Sequence, residues 1–434
     1  MINPHIVREI IYDFRQHELP QFTRRQINLE CPRNKIRTLI GARRVGKTFS
    51  LYQIISDLLS QNIPRERILF INFEDERLIP LEVKDLTLIL NTYYEIYPNN
   101  KDNIVYLFFD EIQNVPGWEI FIRRIHDSEK IQINLTGSSS KLLSSDIATS
   151  LRGRTLSFEI FPFSFNEFLK FRGITTNPLS SKNRSFIINA FNSYLLSGGY
   201  PEILDVQEQM RIKILQDYFN LVLYKDLIER YDIRNHSLMK YFLKFILANS
   251  ANPFSVNKVF GDIKSQGYKL SKDTLHNYLS YLEQSLLIHQ VPIFSESLRK
   301  QHINYRKIYS LDHGLITSIV NSQSYNRGRL IETMVYNQLR RTYEHDQIYY
   351  YRTSLNQEID FLVNDRGKIL NLIQVSEQLN TPKTRSREIS ALNQSMRELK
   401  AKYAWLITSN EKEDIHSPEG TIKVIPFWEW VISG

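Results

Sequence analysis

The sequence predicts an α/β protein whose N-terminal part is an open sheet of parallel strands, and three observations lead there. The first is Gly41-x-x-x-x-Gly46-Lys47-Thr48, set between an apolar stretch with Ile36, Leu39 and Ile40 and a run of Leu51, Ile54, Ile55, Leu58 and Leu59 at helical spacing. The second is a run of six apolar residues, Ile104 to Phe109, that ends in Asp110 and Glu111. The third is the alternation of further strand-sized runs, at 68–73, 131–138 and 155–160, with stretches of helical pattern.

The spacing of the first motif follows from phosphate chemistry. Gly41 and Gly46 allow backbone turns closed to residues with a Cβ, so successive N–H groups point inward at phosphate oxygens. Lys47 adds a point charge for the β- and γ-phosphates, and the Thr48 hydroxyl is a hard oxygen ligand suited to Mg²⁺. A helix beginning directly after the loop turns its N-terminus toward the phosphates. Gly41, Ala42, Arg43, Arg44, Val45, Gly46, Lys47, Thr48 and Phe49 are therefore the expected nucleotide-binding segment, with ATP and Mg²⁺ as the expected cofactors.

The other elements follow in order. Residues 1–35 read as a helix and a linker, with Leu19-Pro20, the pair Arg24-Arg25, and Arg33 and Lys35. The strand at 68–73 ends in Glu74-Asp75-Glu76, placed where open α/β sheets keep ligands, although a solvated acidic turn explains these acids equally well. A helix is expected over 81–97. In the next strand Asp110 is the expected Mg²⁺ ligand, through water, and Glu111 the group that orients and polarises the attacking water. The strand at 131–138 has a polar end, where Thr136 or Ser138 either contacts the γ-phosphate or attacking water or simply terminates the strand. A helix over 139–147 precedes Leu151-Arg152-Gly153-Arg154. An arginine there either stabilises transition-state charge or pairs with a surface acid.

Composition narrows the class. Of 434 residues, 42% are hydrophobic and 24% charged, which fits a globular chain of two or three domains. The longest apolar run, 104–109, is strand-sized, so no membrane partner is expected. The lone Cys31 leaves no internal disulfide or cysteine metal cluster. With no signal-peptide layout at the N-terminus, a cytoplasmic location is expected. The net charge is +8, and residues 1–50 alone hold ten Lys/Arg against four Asp/Glu, a balance of +6. Such an excess points either to an acidic partner such as nucleic acid or to a solvated basic face.

These residues carry a resemblance. Leu19-Pro20 with Arg24-Arg25, the loop from Gly41 to Thr48, Phe109 to Gln113, Leu135 to Ser138, Gly153-Arg154, Phe161-Pro162-Phe163-Ser164-Phe165-x-Glu167-Phe168 and Gly198-Gly199-Tyr200-Pro201 together resemble a family of bacterial and archaeal AAA-type P-loop ATPases. These bear a C-terminal restriction-endonuclease-like domain of unknown function. The resemblance spans most of the chain and implies an ATPase core, a helical lid, a winged-helix region and a nuclease-like tail. It also favours Arg154 over Arg152 as an arginine finger.

The expected domains are an ATPase core with a basic N-terminal extension (1–163), a helical lid (164–236), a winged helix-turn-helix (237–325) and the tail (326–434). In the lid, Tyr218, Leu221, Val222, Tyr224, Leu227 and Ile228 form an apolar stripe of core type. The winged region is read as helices at 237–248, 256–263 and 272–286, a turn at Gly267, and a ribbon of strands at 287–294 and 305–311. Along its third helix Leu275, Tyr278, Leu279, Leu282 and Leu286 have core spacing. Lys272, Asp273, His276, Asn277 and Ser280 are left facing outward near the N-terminal half. Lys258, Lys264, Lys269, Arg306 and Lys307 are candidate phosphate grips, unless the region serves only for packing.

The tail is read as a helix over 330–341 and strands at 347–351, 357–363 and 369–375. Nucleases of the type it resembles carry a strand-end acid, then Glu-x-Lys on the next strand, with a helix Glu nearby. Glu332 and Asp360 sit at matching places, but the Glu-x-Lys position holds Gln374-Val375-Ser376, and Glu377 falls on the opposite face. A degenerate nuclease without metal-dependent cleavage is expected. The functional reading is an ATP-hydrolysing AAA-type switch or motor that forms a homo-oligomer if Arg154 completes a neighbour's site. The alternative is a nucleotide-gated DNA-binding regulator with little turnover.

Overall fold

A computed structural model describes residues 2–137, 149–268, 270–303, 305–320 and 326–433. The chain divides into two compact units, Met1–Phe161 and Pro162–Gly434.

The first unit begins with α1 (Pro4–Gln16), capped by the Asn3 side chain on the His5 amide, with Val7, Ile10 and Ile11 inside. Its sheet contains β1 (Ile36–Ile40), β2 (Ile68–Asn72), β3 (Val105–Asp110), β4 (Ile131–Thr136) and β5 (Thr155–Glu159), in the order β2-β3-β4-β1-β5. Every neighbouring pair is parallel. A parallel sheet has both faces covered, so its central strands are apolar along their length, and Val105, Leu107, Phe108 and Phe109 of β3 are all buried. Three helices complete the unit: α2 (Lys47–Ser60), α3 (Val83–Ile96) and α4 (Trp118–Ser128). The first two stand where the sequence places them. The third is absent from the sequence reading, although Trp118, Phe121, Ile122 and Ile125 are buried at helical spacing. Ser138 and the helix expected over 139–147 lie outside the described residues. The acids after β2 form a solvated turn in which Asp75 caps the Arg77 amide and pairs with its guanidinium at 2.7 Å.

The second unit opens with α5 (Phe165–Phe171), α6 (Ser181–Ser197) and α7 (Glu208–Leu221). From α7 the chain continues as π-helical turns over Val222–Ile228. This widening rotates the apolar stripe. Tyr218, Val222, Leu227 and Ile228 are buried, whereas Tyr224, expected in the same stripe, is exposed. Next come α8 (His236–Ala248), β6 (Asn252–Phe254), α9 (Val256–Ser265), α10 (Lys272–Gln284), β7 (Ile288–Val291), α11 (Leu298–Ile303) and β8 (Arg306–Ser310). The expected two-stranded ribbon is a three-stranded antiparallel sheet, in the order β6-β8-β7. Its extra strand is three residues long and contains Pro253, which an edge position tolerates.

After α12 (His313–Ile319), the chain forms α13 (Arg327–Leu339), β9 (Ile348–Arg352), β10 (Glu358–Asp365), β11 (Lys368–Val375), α14 (Pro382–Leu399), β12 (Tyr403–Thr408), β13 (Glu413–His416), β14 (Thr421–Pro426) and α15 (Phe427–Ser433). The six strands pair in the order β13-β14-β12-β11-β10-β9, with β12 parallel to both β11 and β14. Ile359, Leu362, Leu372, Leu392, Met396, Leu406 and Val424 pack together as its core. No helix among the described residues is long and apolar enough to cross a membrane.

Candidate functional site

In a sheet of this order the connections after β1, β3 and β4 leave from the same edge, and there the residues singled out by the two motifs meet. Gly46 has φ 94°, in the left-handed region that favours glycine, and it starts α2 with no side-chain cap on the helix amides. Gly41 is required by close approach, since a Cβ there would stand 2.5 Å from the Ile160 carbonyl oxygen. Lys47 is buried and its ammonium donates to the Gly41 and Ala42 carbonyls at 3.3 and 3.1 Å. Arg43 is half-buried, and Arg44 and Phe49 are exposed.

Asp110, the last residue of β3, is buried and accepts from the Thr48 hydroxyl at 2.7 Å and, on its other oxygen, from the Thr136 hydroxyl. Burial pushes the Asp110 carboxyl up to about 6, against the lowering effect of those two hydroxyls. Glu111 follows in a left-handed conformation, φ 53°. Its amide donates to the Thr136 hydroxyl at 3.0 Å, its carboxylate stands 3.8 Å from the Lys47 ammonium, and Gln113 donates to its other oxygen. Thr136 thus touches both acids, orienting the Asp110 carboxylate and the Glu111 backbone. The donor set suits Mg²⁺: a hydroxyl and a carboxylate, both hard oxygens, sit within one hydrogen bond of each other beside a lysine and a helix N-terminus.

Arg154 is not part of this cluster. It precedes β5, at the opposite end of the sheet, roughly 17 Å from the loop for five residues at about 3.3 Å each. There it makes a two-armed pair with Asp127, at 2.9 and 2.8 Å, which holds the Asp127 carboxyl below the usual range.

In the second unit Glu332 and Asp360 do come together, around a residue the sequence assigned elsewhere. Lys307, on β8, is 1% exposed, and its ammonium lies 2.9 Å from Glu332, 2.8 Å from Glu358 and 2.8 Å from Asp360. It is therefore unavailable to grip phosphate, a correction to the sequence reading that follows from strand alternation: Lys307 and Tyr309 share the inward face. Tyr309 donates to the Glu332 carboxylate at 2.7 Å, and burial together with Asp360 pushes Glu332 up to about 7. Gln374 accepts from the Asp360 amide at 3.1 Å and donates to Glu388 at 2.9 Å. The Ser376 hydroxyl turns away to the Gln378 carbonyl, and Glu377 pairs with Arg327. Among the described residues no group of three or more His, Cys, Asp or Glu side chains is arranged to hold a metal ion. Lys258, Lys264 and Lys272 are exposed, and Lys269 lies outside the described residues.

Residues 33–169 match the family described as "AAA domain", and residues 188–326 and 327–430 match two families described as domains of unknown function. An uncharacterized protein of Methanocaldococcus jannaschii is 36% identical over 419 residues, covering 94% of this chain and 91% of that protein. One from Haemophilus influenzae is 28% identical over 352 residues, covering 80% and 84%. Among solved structures, the ORC2 protein of Aeropyrum pernix, in ADPNP–ADP complexes, aligns with 71% of this chain and 89% of its own at 12% identity and a TM-score of 0.32. The chain belongs to the family of the Methanocaldococcus protein, and its own domains run in the order AAA domain, then two domains of unknown function.

Proposed function

We propose that this chain is a Mg²⁺-dependent switch or motor that binds and hydrolyses ATP. The observation that carries the reading is the convergence of Lys47, Thr48, Asp110, Glu111 and Thr136 at one edge of a parallel sheet. Lys47 exchanges the Gly41 and Ala42 carbonyls for phosphate oxygens, while the amides of the loop and of the start of α2 point at the same group. Thr48 and Asp110 are the residues to hold Mg²⁺, which when bound neutralises charge on the phosphate oxygens. Glu111 orients water and accepts its proton, and Thr136 keeps both acids in place. Lys47→Ala is expected to weaken nucleotide binding. Glu111→Gln should still bind ATP, with turnover reduced by roughly 10²–10⁴-fold, the usual size of a general-base contribution. Hydrolysis at the wild-type rate in purified Glu111→Gln would overturn the assignment.

A second reading, a nucleotide-gated regulator with little turnover, draws on the contacts that already engage Glu111. Gln113 and Lys47 both occupy its carboxylate, so water activation requires their release. Steady-state hydrolysis with and without duplex DNA separates the two. The order of elements from α8 to β8 supports a winged helix-turn-helix, whose partner would be nucleic acid. For residues 326–434 the degenerate-nuclease reading stands on Gln374 and Ser376 and on Lys307 filling the space between Glu332 and Asp360. That domain serves binding or assembly on this reading, without cleavage.

A further inference from the structure

Arg25 takes no part in the chemistry above, yet it is only 7% exposed. A buried guanidinium needs acceptors at its donors, and the ones it has are informative. One arm donates to the Val45 carbonyl, inside the phosphate loop, at 2.9 Å, and the other to the Phe161 carbonyl, just beyond β5, at 2.5 Å. Its backbone is clamped to α2 by Gln53, which accepts from the Arg25 amide at 2.6 Å and donates to the Arg25 carbonyl at 3.4 Å. The same two segments touch again beside it. The Ile160 amide donates to the Ile40 carbonyl at 2.8 Å, and the Ile160 carbonyl packs against Gly41.

The Val45 carbonyl belongs to the peptide unit whose N–H is that of Gly46. A trans peptide is planar, so gripping this carbonyl from behind directs the Gly46 N–H to the opposite side. We infer that Arg25 is a positioning residue that aims the Gly46 N–H at phosphate and couples occupancy of the loop to the end of β5. If phosphate binding turns the 45–46 peptide, the displacement reaches Phe161 through a single rigid guanidinium. Lysine cannot do this, because one ammonium does not present a planar fork to two separated carbonyls.

The inference rests on the nucleotide-site reading, and amide hydrogen exchange on the full chain with and without saturating ADP tests both separately. In the wild type, ADP should slow exchange in residues 46–49 and change it at Ile160 and Phe161. In Arg25→Lys, saturating ADP should still protect residues 47–49, while protection at Gly46 falls and the change at Ile160 and Phe161 is lost. A purely structural role would lower the melting temperature and leave the ADP-dependent change intact. Should Arg25→Lys fail to fold, Gln53→Ala loosens the clamp and should diminish the same change. Persistence of the full change in the folded variant, or its absence from wild type that protects 46–49, overturns the inference. Absence of any ADP effect on 46–49 in wild type overturns the nucleotide reading instead.

Discussion

Lys307 shows how much one residue's meaning depends on its surroundings. In the sequence it stands next to Arg306 in a basic region and reads as a phosphate grip. In the fold its ammonium is the counter-charge for three carboxylates brought from α13 and β10. Replacing it by an apolar side chain leaves Glu332 and Asp360 buried without their cation, which typically costs about 3–5 kcal/mol, while the half-buried Glu358 keeps Arg352. Lys307→Met is accordingly expected to lower the unfolding free energy by that order, read as a lower denaturant midpoint, with partial recovery when Glu332→Gln is added. An unchanged midpoint would show that the cluster contributes nothing net. Arg25 is a parallel case: the pair Arg24-Arg25 is conspicuous in the sequence, but the two side chains part company. Arg24 pairs with Asp57 at the surface and Arg25 turns inward.

Among elements, those that carry the motifs are the most legible. β1, α2 and β3 are read from sequence within a residue or two, because a buried parallel strand is an uninterrupted apolar run and the loop glycine marks where the helix begins. The three-residue β6 is illegible, and the 382–433 stretch that forms α14 through α15 shows no clear division into elements in sequence. Its edge strand β13 is four residues long and alternates only between half-buried and exposed, and its neighbour β14 has just six residues. On α10 most of the expected division is found: Leu275, Tyr278, Leu279 and Leu282 are buried while Lys272, Asp273, His276 and Asn277 are exposed, but Ser280 is half-buried, and so is Leu286, which lies past the helix end at Gln284. If this face and the exposed Lys258 and Lys264 meet DNA, duplex affinity should fall steeply with salt. A Lys258/Lys264/Lys272→Ala variant should bind more weakly, with the logarithmic salt slope reduced by about 0.9 per lost phosphate contact. The same affinity and slope in the variant would mean that these helices serve only to pack.

For the molecule as a whole, the number of copies that act together turns on Arg154. Arg154 stands at the far end of the sheet from its own loop, so a finger role requires a second chain. In that case nucleotide should raise the mass measured in solution. Arg154→Ala should lower turnover severalfold or more while leaving nucleotide binding intact, with the arginine-finger contribution reaching about 10³-fold or beyond in the strongest cases. Turnover at the wild-type rate in Arg154→Ala would leave the pair with Asp127 as a surface ion pair and nothing more.

The residues proposed for the nucleotide site, and the strands that present them, are legible in the chain without its fold. Glycine spacing, the lysine that follows and an acid-ended apolar strand are local patterns with few physical solutions. Which of the other charged residues meet one another follows from the folded arrangement. Lys307 meets Glu332 and Asp360 across 25 and 53 residues of chain, and Arg25 meets Phe161 across 136. Nothing in local periodicity records such a meeting. It arises when burial removes water from a charge and leaves the chain's own carbonyls and carboxylates as the partners within reach.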